Sequence, residues 1–400
     1  MQYDFDTIID RSSTDSCKYD LRAENAFSDD ALCYWVADMD FKCAPEIISA
    51  LKEKVEHGIF GYTALRKPYY NAVRRWILQH TGYEVHDKWL FSTAGVVQGI
   101  SFAIQAFSEK GDRILIQKPI YYPFSRAIEE NGRVIVNSPL VWDGEKYNIN
   151  FDDFERKIAD NKVKMFLLCN PHNPSGRVWA KDELEKIAEI CLRYGVTVVS
   201  DEIHCDFVWK PYKHTPFASL SKEAENICVT CTSASKTFNL AGLQTSNIFV
   251  ANGDMRIKYA KVLKAASVSL PNMMGLTATL AAYTYGEPWL CAVKEYIEAN
   301  FERTIDFFSS HKSKIRALKP QGTYLQWLDC KELCKEKGWS DEELNKAIKE
   351  AGVWLDAGSM FGDEANFFQR INVACPWQYL KQGLERLLSL QAQAQAQPVV

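Results

Sequence analysis

The chain has 400 residues, of which 47% are hydrophobic and 24% are charged, and its formal net charge is -4. This is the composition of a folded globular protein, and a small net charge without a dense Lys/Arg stripe argues against a nucleic-acid partner. No apolar run reaches the roughly 18 residues that a membrane-spanning helix needs, so small molecules are the expected partners.

The first 45 residues are rich in polar and aromatic side chains and fit neither a helical nor a strand pattern. We expect an N-terminal arm over residues 1–45 that associates with a smaller C-terminal domain or crosses to another subunit. The N-terminal stretch "MQYDFDTIIDRSS" lacks the charged and apolar regions of a secretory signal peptide.

Residues 46–288 alternate short apolar runs with segments of helical periodicity such as "KDELEKIAEICLRYG". The runs that predict strands are "DRILIQ", "RVIVNS", "KMFLLC", "VTVVSDE", "NICVTC" and "SNIFVAN". This alternation predicts an α/β fold whose large domain has a mostly parallel sheet covered by helices.

The pattern changes after Pro288, where "WLCAVKEYIEANFERTIDFFSSH" predicts one long amphipathic helix. "KIRALKP", "GTYLQWLDC" and "SDEELNKAIKEAG" follow it, so we expect a smaller α+β domain over residues 289–390. The low-complexity residues 391–400 are expected to be a disordered tail.

Twelve cysteines raise the question of disulfides or a metal site. Many of them lie inside apolar runs, which is typical of buried free thiols. Cys228 and Cys231 form a C-x-x-C pair, but no second pair stands at zinc-site spacing and the pair lies within a predicted strand. We therefore expect reduced thiols, a cytoplasmic location and no bound metal.

Polar residues follow three of the predicted strands, at the edge where ligands bind in open α/β sheets. "NPHNPSG" follows "KMFLLC", "DEIHCD" follows "VTVVS", and "TSASKTFNLAGLQ", which contains Lys236, follows the next strand. Each has a structural alternative if taken alone: a Pro/Gly turn, a helix N-cap at Asp201, or a solvated loop cation at Lys236.

In this order and at strand ends, the segments resemble the fold-type I pyridoxal 5'-phosphate (PLP) enzymes, the aspartate aminotransferase superfamily. Within it the chain is similar to the cystalysin and MalY/PatB branch of cysteine-S-conjugate β-lyases. Seven motifs carry that similarity: "WVADMDF", "TAGVVQGI", "PIYYPF", "NPHNPSGRVW", "SDEIHCD", "SASKTFNLAGLQ" and "GTYLQWLD". The resemblance covers nearly the whole chain and implies the PLP-transferase type I fold, PLP as cofactor and a homodimer with shared active sites.

Each part of the cofactor has a candidate partner in this chain. The resemblance implies that the Lys236 amine bonds to the aldehyde, that Asp201 pairs with the ring nitrogen, and that Asn173 donates to the phenolic oxygen. His204 stands where many relatives carry tyrosine and is a further candidate for that oxygen. Tyr121 of "PIYYPF" is implied as the ring that stacks on the cofactor.

The phosphate is expected where a loop feeds a helix, because free N–H groups and the helix dipole favour an anion there. "TAGVVQGI" fits this description: Gly95 permits close approach of the backbone, and the amides of Val96 and Val97 are the expected donors. Ser233 and Ser235 are expected to add hydroxyl donors.

This sequence departs from aspartate aminotransferase beside the phosphate. That enzyme has an arginine eight residues after its active-site lysine, whereas this chain has Gln244. The resemblance implies that Tyr62 of "FGYT", contributed by a neighbouring subunit, is a phosphate donor instead.

Three residues are candidates for binding the substrate. The resemblance implies that Arg370 of "FFQRINVACP" binds the α-carboxylate with its planar fork, with Ala37 beside it. Tyr122 is expected to face the substrate and, like Lys236, could give a proton to a departing sulfur atom.

The branch resemblance implies α,β-elimination from L-cystathionine, L-cysteine or related cysteine S-conjugates, which gives pyruvate, ammonia and a thiol. Two alternatives stay open at this point. One is a PLP-dependent aminotransferase of a neutral or aromatic amino acid, and the other is a regulatory protein that acts through protein contact.

Overall fold

A computed structural model describes residues 3–268 and 270–392 of the chain. The predicted tail therefore lies largely outside the described residues, since they end at residue 392.

Fifteen strands are found within the described residues. In chain order they are β1 (Leu32–Cys33), β2 (Leu90–Thr93), β3 (Arg113–Ile116), β4 (Val134–Asn137), β5 (Val141–Trp142), β6 (Tyr147–Asn148), β7 (Met165–Cys169), β8 (Thr197–Asp201), β9 (Cys228–Thr232), β10 (Ser246–Val250), β11 (Arg316–Ala317), β12 (Leu325–Asp329), β13 (Val353–Trp354), β14 (Asp356–Ala357) and β15 (Phe368–Asn372).

The same described residues form fifteen α-helices. They are α1 (Cys17–Asp20), α2 (Pro45–His57), α3 (Lys67–Thr81), α4 (Val96–Phe107), α5 (Pro123–Glu130), α6 (Phe151–Asn161), α7 (Lys181–Tyr194), α8 (Lys222–Ile227), α9 (Ala234–Thr237), α10 (Gly253–Ala265), α11 (Met273–Tyr285), α12 (Glu287–Ser310), α13 (Lys331–Lys337), α14 (Asp341–Glu350) and α15 (Trp377–Ser389).

The large sheet has the strand order β2-β10-β9-β8-β7-β3-β4. Strand β10 is antiparallel to both of its neighbours, and the pairs from β9 through β4 are parallel. The carboxyl ends of β9, β8, β7, β3 and β4 therefore lie at one edge of the sheet. The predicted α/β class with a mostly parallel sheet is confirmed.

Both faces of this sheet are covered, as strand β7 shows. Met165, Leu167 and Cys169 pack into one apolar core, and Phe166 and Leu168 pack into the core on the other face. Successive side chains of a strand point to opposite faces, so a strand buried on both sides needs an unbroken apolar run. This is why "KMFLLC" could be predicted as a strand.

The smaller sheet has the order β11-β12-β15-β14 and its pairs are antiparallel. Long helix α12 precedes it, as the amphipathic pattern predicted. Helix α14 begins at a capping box, in which Ser340 and Glu343 each accept the other's backbone N–H group.

The N-terminal segment joins the C-terminal part of the chain through β1, which pairs in parallel with β13. The boundaries predicted at residues 45, 288 and 390 stay predictions. Strand β2 was not predicted, because "LFST" is a short run at the sheet edge and two of its four residues are polar. Within residues 3–268 and 270–392, no helix combines the length and apolar character needed to cross a bilayer.

Candidate active site

A cavity of about 180 Å³ lies at the carboxyl edge of the large sheet. Asp201 is the last residue of β8, and Asn173 and Lys236 each follow a neighbouring parallel strand by four residues. Ten of the residues predicted for the site line the cavity: Ala37, Gly95, Val96, Val97, Tyr121, Asn173, Asp201, His204, Ser235 and Lys236.

Asp201 is a buried carboxyl group on the cavity wall. It is 4% exposed and accepts a hydrogen bond from the Ile203 N–H group at 3.0 Å. Within the described part of the chain it forms no ion pair. Burial, with a smaller contribution from Glu202, raises the pKa of Asp201 to about 7. A carboxyl group in this setting gains stability from a cationic partner.

The amine of Lys236 lies in the same cavity and donates to the backbone oxygen of Ala37 at 2.7 Å. Burial lowers the pKa of Lys236 to about 8, although the carboxylate of Asp38 opposes that shift. Arg370 lowers the pKa further. The neutral amine, the form that attacks carbonyl groups, is therefore more populated at neutral pH here than on a solvated lysine.

Helix α4 points its N-terminus at the cavity. Its N-cap residue is Gly95, with a φ of 152°, and no side chain caps the helix. The first N–H groups of a helix have no intrahelical acceptor, so those of Val96 and Val97 are free to bind an anion. The φ value, rather than crowding, explains the glycine, because an added Cβ would meet no protein atom within 4 Å.

Arg370 contacts the cavity wall from the smaller sheet. Its Nη1 donates to Oδ1 of Asn173 at 2.8 Å, and its Nη2 donates to the backbone oxygen of Trp35 at 2.7 Å and to Asp356. Nε is buried and has no hydrogen-bond partner among the described residues. Arg370 takes Oδ1 of Asn173 as its acceptor, so the Nδ2 group is the end of that amide able to donate to a ligand.

His204 lies on the cavity wall and is 3% exposed. Its Nδ1 is buried and unpartnered within the described residues. Burial, and then the positive charges of Lys236 and Arg370, hold the pKa of His204 well below its usual value, so the imidazole is neutral. A neutral histidine with an unpartnered nitrogen can accept from or donate to a ligand in the cavity.

Four predicted residues do not line the cavity: Tyr62, Tyr122, Ser233 and Arg370. The Ser233 hydroxyl donates to the Thr245 carbonyl at 2.7 Å and accepts from the Ser235 N–H group at 3.0 Å. It therefore acts as the N-cap of α9, and Ser235 is the better placed of the two hydroxyls for a ligand.

The two tyrosines outside the cavity differ in exposure. Tyr122 is half-buried, with its ring centroid 5.4 Å from that of Tyr121, and burial raises its pKa. Tyr62 is 98% exposed in the single chain.

These groups fit PLP. Asp201 is a buried carboxyl group with no ion-pair partner among the described residues, and the α4 N-terminus offers N–H donors to a phosphate. Lys236 supplies an amine, and Asn173 and His204 each supply polar atoms on the cavity wall. The donor set is therefore that of a ligand carrying an aldehyde, a basic ring nitrogen and a phosphate.

Sequence reasoning missed two side chains that hold this site together. Tyr324 donates its hydroxyl proton to the Ala37 oxygen at 2.8 Å, and Asp356 forms a buried ion pair with Arg370. The motif "GTYLQWLD" could have drawn attention to Tyr324. No comparable signal marks Asp356, because its role depends on the pairing of β14 with β15.

The pKa of Asp201 gives a first testable prediction, for the cofactor-free protein. Its carboxyl group titrates near pH 7 when folded but near 3.9 when unfolded. The folded state therefore binds more protons between these values, and stability falls as the pH rises through this window. Asp201→Asn does not titrate, so its stability relative to the wild type should rise between pH 4 and pH 8, by an amount on the order of 4 kcal/mol.

Thermal unfolding of both cofactor-free proteins at pH 4, 6 and 8 measures this difference. The gap should grow with pH. A stability difference that does not change between pH 4 and pH 8 would contradict the raised pKa of Asp201.

Comparison with known proteins agrees with the geometry. The chain is 42% identical to cystathionine β-lyase PatB of Bacillus subtilis, over 96% of this chain and 98% of that protein. It is 33% identical to protein MalY of Escherichia coli, over 97% of this chain and 98% of that protein.

Among solved structures, cystalysin from Treponema denticola, which contains a pyridoxal 5'-phosphate cofactor, superposes with a TM-score of 0.93. The two are 35% identical, and the match covers 98% of this chain and 99% of cystalysin. The family "Aminotransferase class I and II" matches residues 36–387. With that match across most of its length, the chain belongs to the class I and II aminotransferase family.

Proposed function

We propose that this chain is a PLP-dependent carbon–sulfur β-lyase. It cleaves L-cystathionine, L-cysteine or related cysteine S-conjugates to pyruvate, ammonia and a thiol. The cavity supports PLP-dependent amino-acid chemistry, and the choice of elimination rests on the 42% identity to cystathionine β-lyase PatB.

When bound, PLP would supply an electron-withdrawing ring that acidifies the Cα–H bond of an amino acid and favours loss of a leaving group from Cβ. Asp201 would supply the negative charge that keeps the ring nitrogen protonated. The Val96 and Val97 N–H groups, with Ser235, would hold the phosphate. Asn173 and His204 would serve the phenolic oxygen, and Tyr121 would pack against the ring.

Lys236 moves the proton in this scheme. Once its amine is free, Nζ takes the proton from Cα, for which a pKa of about 8 is well suited near neutral pH. A thiolate is a good leaving group and needs little assistance. The hydroxyl of Tyr122 or the protonated Lys236 can transfer a proton to the departing sulfur.

Arg370 binds the α-carboxylate of the substrate. The backbone N–H group of Ala37 can donate to the same carboxylate, whereas the Ala37 oxygen, an acceptor, cannot. Arg370→Ala should lower kcat/KM by a factor that corresponds to roughly 3 kcal/mol of transition-state stabilisation, because a charge-assisted pair is lost and Cα is misplaced. Arg370→Lys keeps the charge without the fork and should recover only part of the loss.

Steady-state kinetics with L-cystathionine, and with an amine that lacks the carboxylate, measure this effect. The Ala variant should lose its preference for the amino acid. A preference equal to that of the wild type would place carboxylate binding elsewhere.

Thiol release tests the lyase assignment. Purified protein loaded with PLP should release a thiol and pyruvate from L-cystathionine, and Lys236→Ala protein should release neither. Release of neither product by the wild type, with amino transfer to a 2-oxo acid instead, would identify the aminotransferase.

We further propose a homodimer with shared active sites. Ile59, Phe60 and Tyr62 are 69%, 64% and 98% exposed in the single chain, an apolar surface of the kind that a second subunit covers. Gln244 lies on the cavity wall and gives the phosphate no positive charge. In the proposed dimer, Tyr62 donates to the phosphate in the neighbouring subunit.

Tyr62→Phe should raise the dissociation constant of the cofactor about tenfold, in line with roughly 1.4 kcal/mol for one hydrogen bond to a charged group. Fluorescence titration of the cofactor-free protein with PLP measures it. Complementation is the sharper experiment: at a PLP concentration too low to load Tyr62→Ala, mixing this protein with inactive Lys236→Ala protein should restore activity, because each mixed dimer holds one intact site. Mixed dimers that form and stay inactive would place Tyr62 within its own site.

We also propose a cytoplasmic location. All twelve cysteines are free, and most of them are buried, as expected in a reducing compartment. Cell fractionation tests this location. Detection of the protein outside the cytoplasmic fraction would contradict it.

A further inference from the structure

The carbonyl oxygen of Ala37 accepts two hydrogen bonds. One comes from Nζ of Lys236 at 2.7 Å and the other from the hydroxyl of Tyr324 at 2.8 Å. Tyr324 is fully buried, and its hydroxyl has this oxygen as its acceptor. A carbonyl oxygen has two lone pairs, so the two donors use its full capacity.

The segment that carries this carbonyl is fixed on both sides of Ala37. Asn372 donates from Nδ2 to the backbone oxygens of Val36 (2.7 Å) and Asp38 (2.5 Å). Asn239 accepts from the Met39 N–H group at 2.9 Å and donates to the Met39 oxygen at 2.8 Å.

Ion pairs add to this restraint on the side chains of the same segment. Arg11 lies 2.6 Å from both Asp38 and Asp40, and the buried Lys18 lies 2.6 Å from Asp40. The Ala37 oxygen therefore has a defined position before any ligand binds.

We propose that Tyr324 is a positioning residue for Lys236, and that it acts by sharing the Ala37 carbonyl with the lysine amine. The carbonyl is the place where the free amine rests. The tyrosine hydroxyl fixes that carbonyl and weakens its hold on the amine, so Nζ can leave it readily. The importance of this for catalysis rests on the proposed function, but the contact itself belongs to the chain alone.

The consequence concerns the protonation of Lys236. An ammonium group is a stronger hydrogen-bond donor than a neutral amine, so it gains more from a carbonyl that it does not have to share. Removing the Tyr324 hydroxyl should therefore favour the ammonium form. The other groups that face Lys236 are Asp38, Asp201, Arg370 and His204, and Tyr324→Phe changes none of these side chains.

The test uses the cofactor-free full chain and the variant Tyr324→Phe. The rate at which acetic anhydride modifies Lys236 is followed against pH by mass spectrometry of the peptide that carries it. Tyr324→Phe should raise the midpoint of this profile by about half a unit, a roughly threefold loss of reactivity below the midpoint. The plateau at high pH should not change.

Tyr34→Phe is the matched control. Tyr34 is also fully buried, and its hydroxyl donates to a backbone carbonyl, that of Tyr379, at 2.6 Å. Both variants lose one buried hydroxyl bond and should lose similar thermal stability, but only Tyr324→Phe should move the Lys236 profile.

With PLP and L-cystathionine below that midpoint, Tyr324→Phe should lower kcat about threefold and change KM less than twofold, a loss in proton removal rather than in binding. A Lys236 midpoint in Tyr324→Phe that equals that of Tyr34→Phe, or falls below it, overturns the inference. That result does not depend on turnover, so it is distinct from a failure of the lyase assignment, which the thiol assay detects.

Discussion

Lys236→Ala is expected to lower turnover of L-cystathionine by about four orders of magnitude or more. General base catalysis alone contributes up to about 10⁴-fold, and this lysine is also the proposed attachment point of the cofactor. Borohydride treatment of the loaded wild type should fix the cofactor on Lys236, and peptide mapping locates it.

Lys294 is a matched control for that experiment. Burial also lowers its pKa, but its Nζ donates to the backbone oxygen of Asp206 at 2.7 Å and it does not line the cavity. Borohydride should leave Lys294 unlabelled, and Lys294→Ala should stay active if it folds. Label on Lys294, or rapid turnover by Lys236→Ala, would refute the assignment of the reactive amine.

Asp201→Ala should slow removal of the Cα proton by several orders of magnitude and still permit some covalent binding of the cofactor. The physical reason is electrostatic: without a carboxylate beside it, the ring nitrogen loses its proton and becomes a much poorer electron acceptor. Exchange of the Cα hydrogen of L-alanine in deuterated water isolates this step, because alanine has no leaving group on Cβ.

Glu202 provides the control for a neighbouring buried carboxylate. Its carboxylate accepts a hydrogen bond from the Ser200 hydroxyl at 2.8 Å and lies 3.0 Å from Nε2 of His214. Glu202 does not line the cavity. Glu202→Gln should exchange the Cα hydrogen at a rate within about tenfold of the wild type. Equal losses in Asp201→Ala and Glu202→Gln would mean that the effect is structural.

The sequence was sufficient to place Lys236, Asp201 and Asn173 together. Each follows an apolar run of five or six residues, and parallel strands bring such positions to one edge of a sheet whatever the details of packing. The N-terminus of α4 could be predicted from "TAGVVQGI", in which Gly95 stands where a loop feeds a helix, although strand β2 before it was not predicted.

Contacts that depend on distant pairing could not be read in this way. Arg370 reaches Asn173 from a different sheet, and its partner Asp356 is set by the register of two short strands. The register between β14 and β15 leaves no pattern in a single sequence, because β14 has only two residues.

Side-chain direction was also beyond sequence reasoning. Ser233 and Ser235 are two residues apart on one short motif, yet one hydroxyl caps α9 and the other faces the cavity. Tyr324 belongs to a motif typical of the branch, and only the structure shows that its hydroxyl and Lys236 share an acceptor.

β-Elimination and amino transfer by this chain would give different products from L-cystathionine. The most direct measurement is the product balance from L-cystathionine in the presence of excess 2-oxoglutarate. Elimination predicts pyruvate, ammonia and homocysteine in equal amounts, with no glutamate and no dependence on the 2-oxo acid. Glutamate formed in step with substrate loss, without free thiol, would contradict the lyase and identify an aminotransferase.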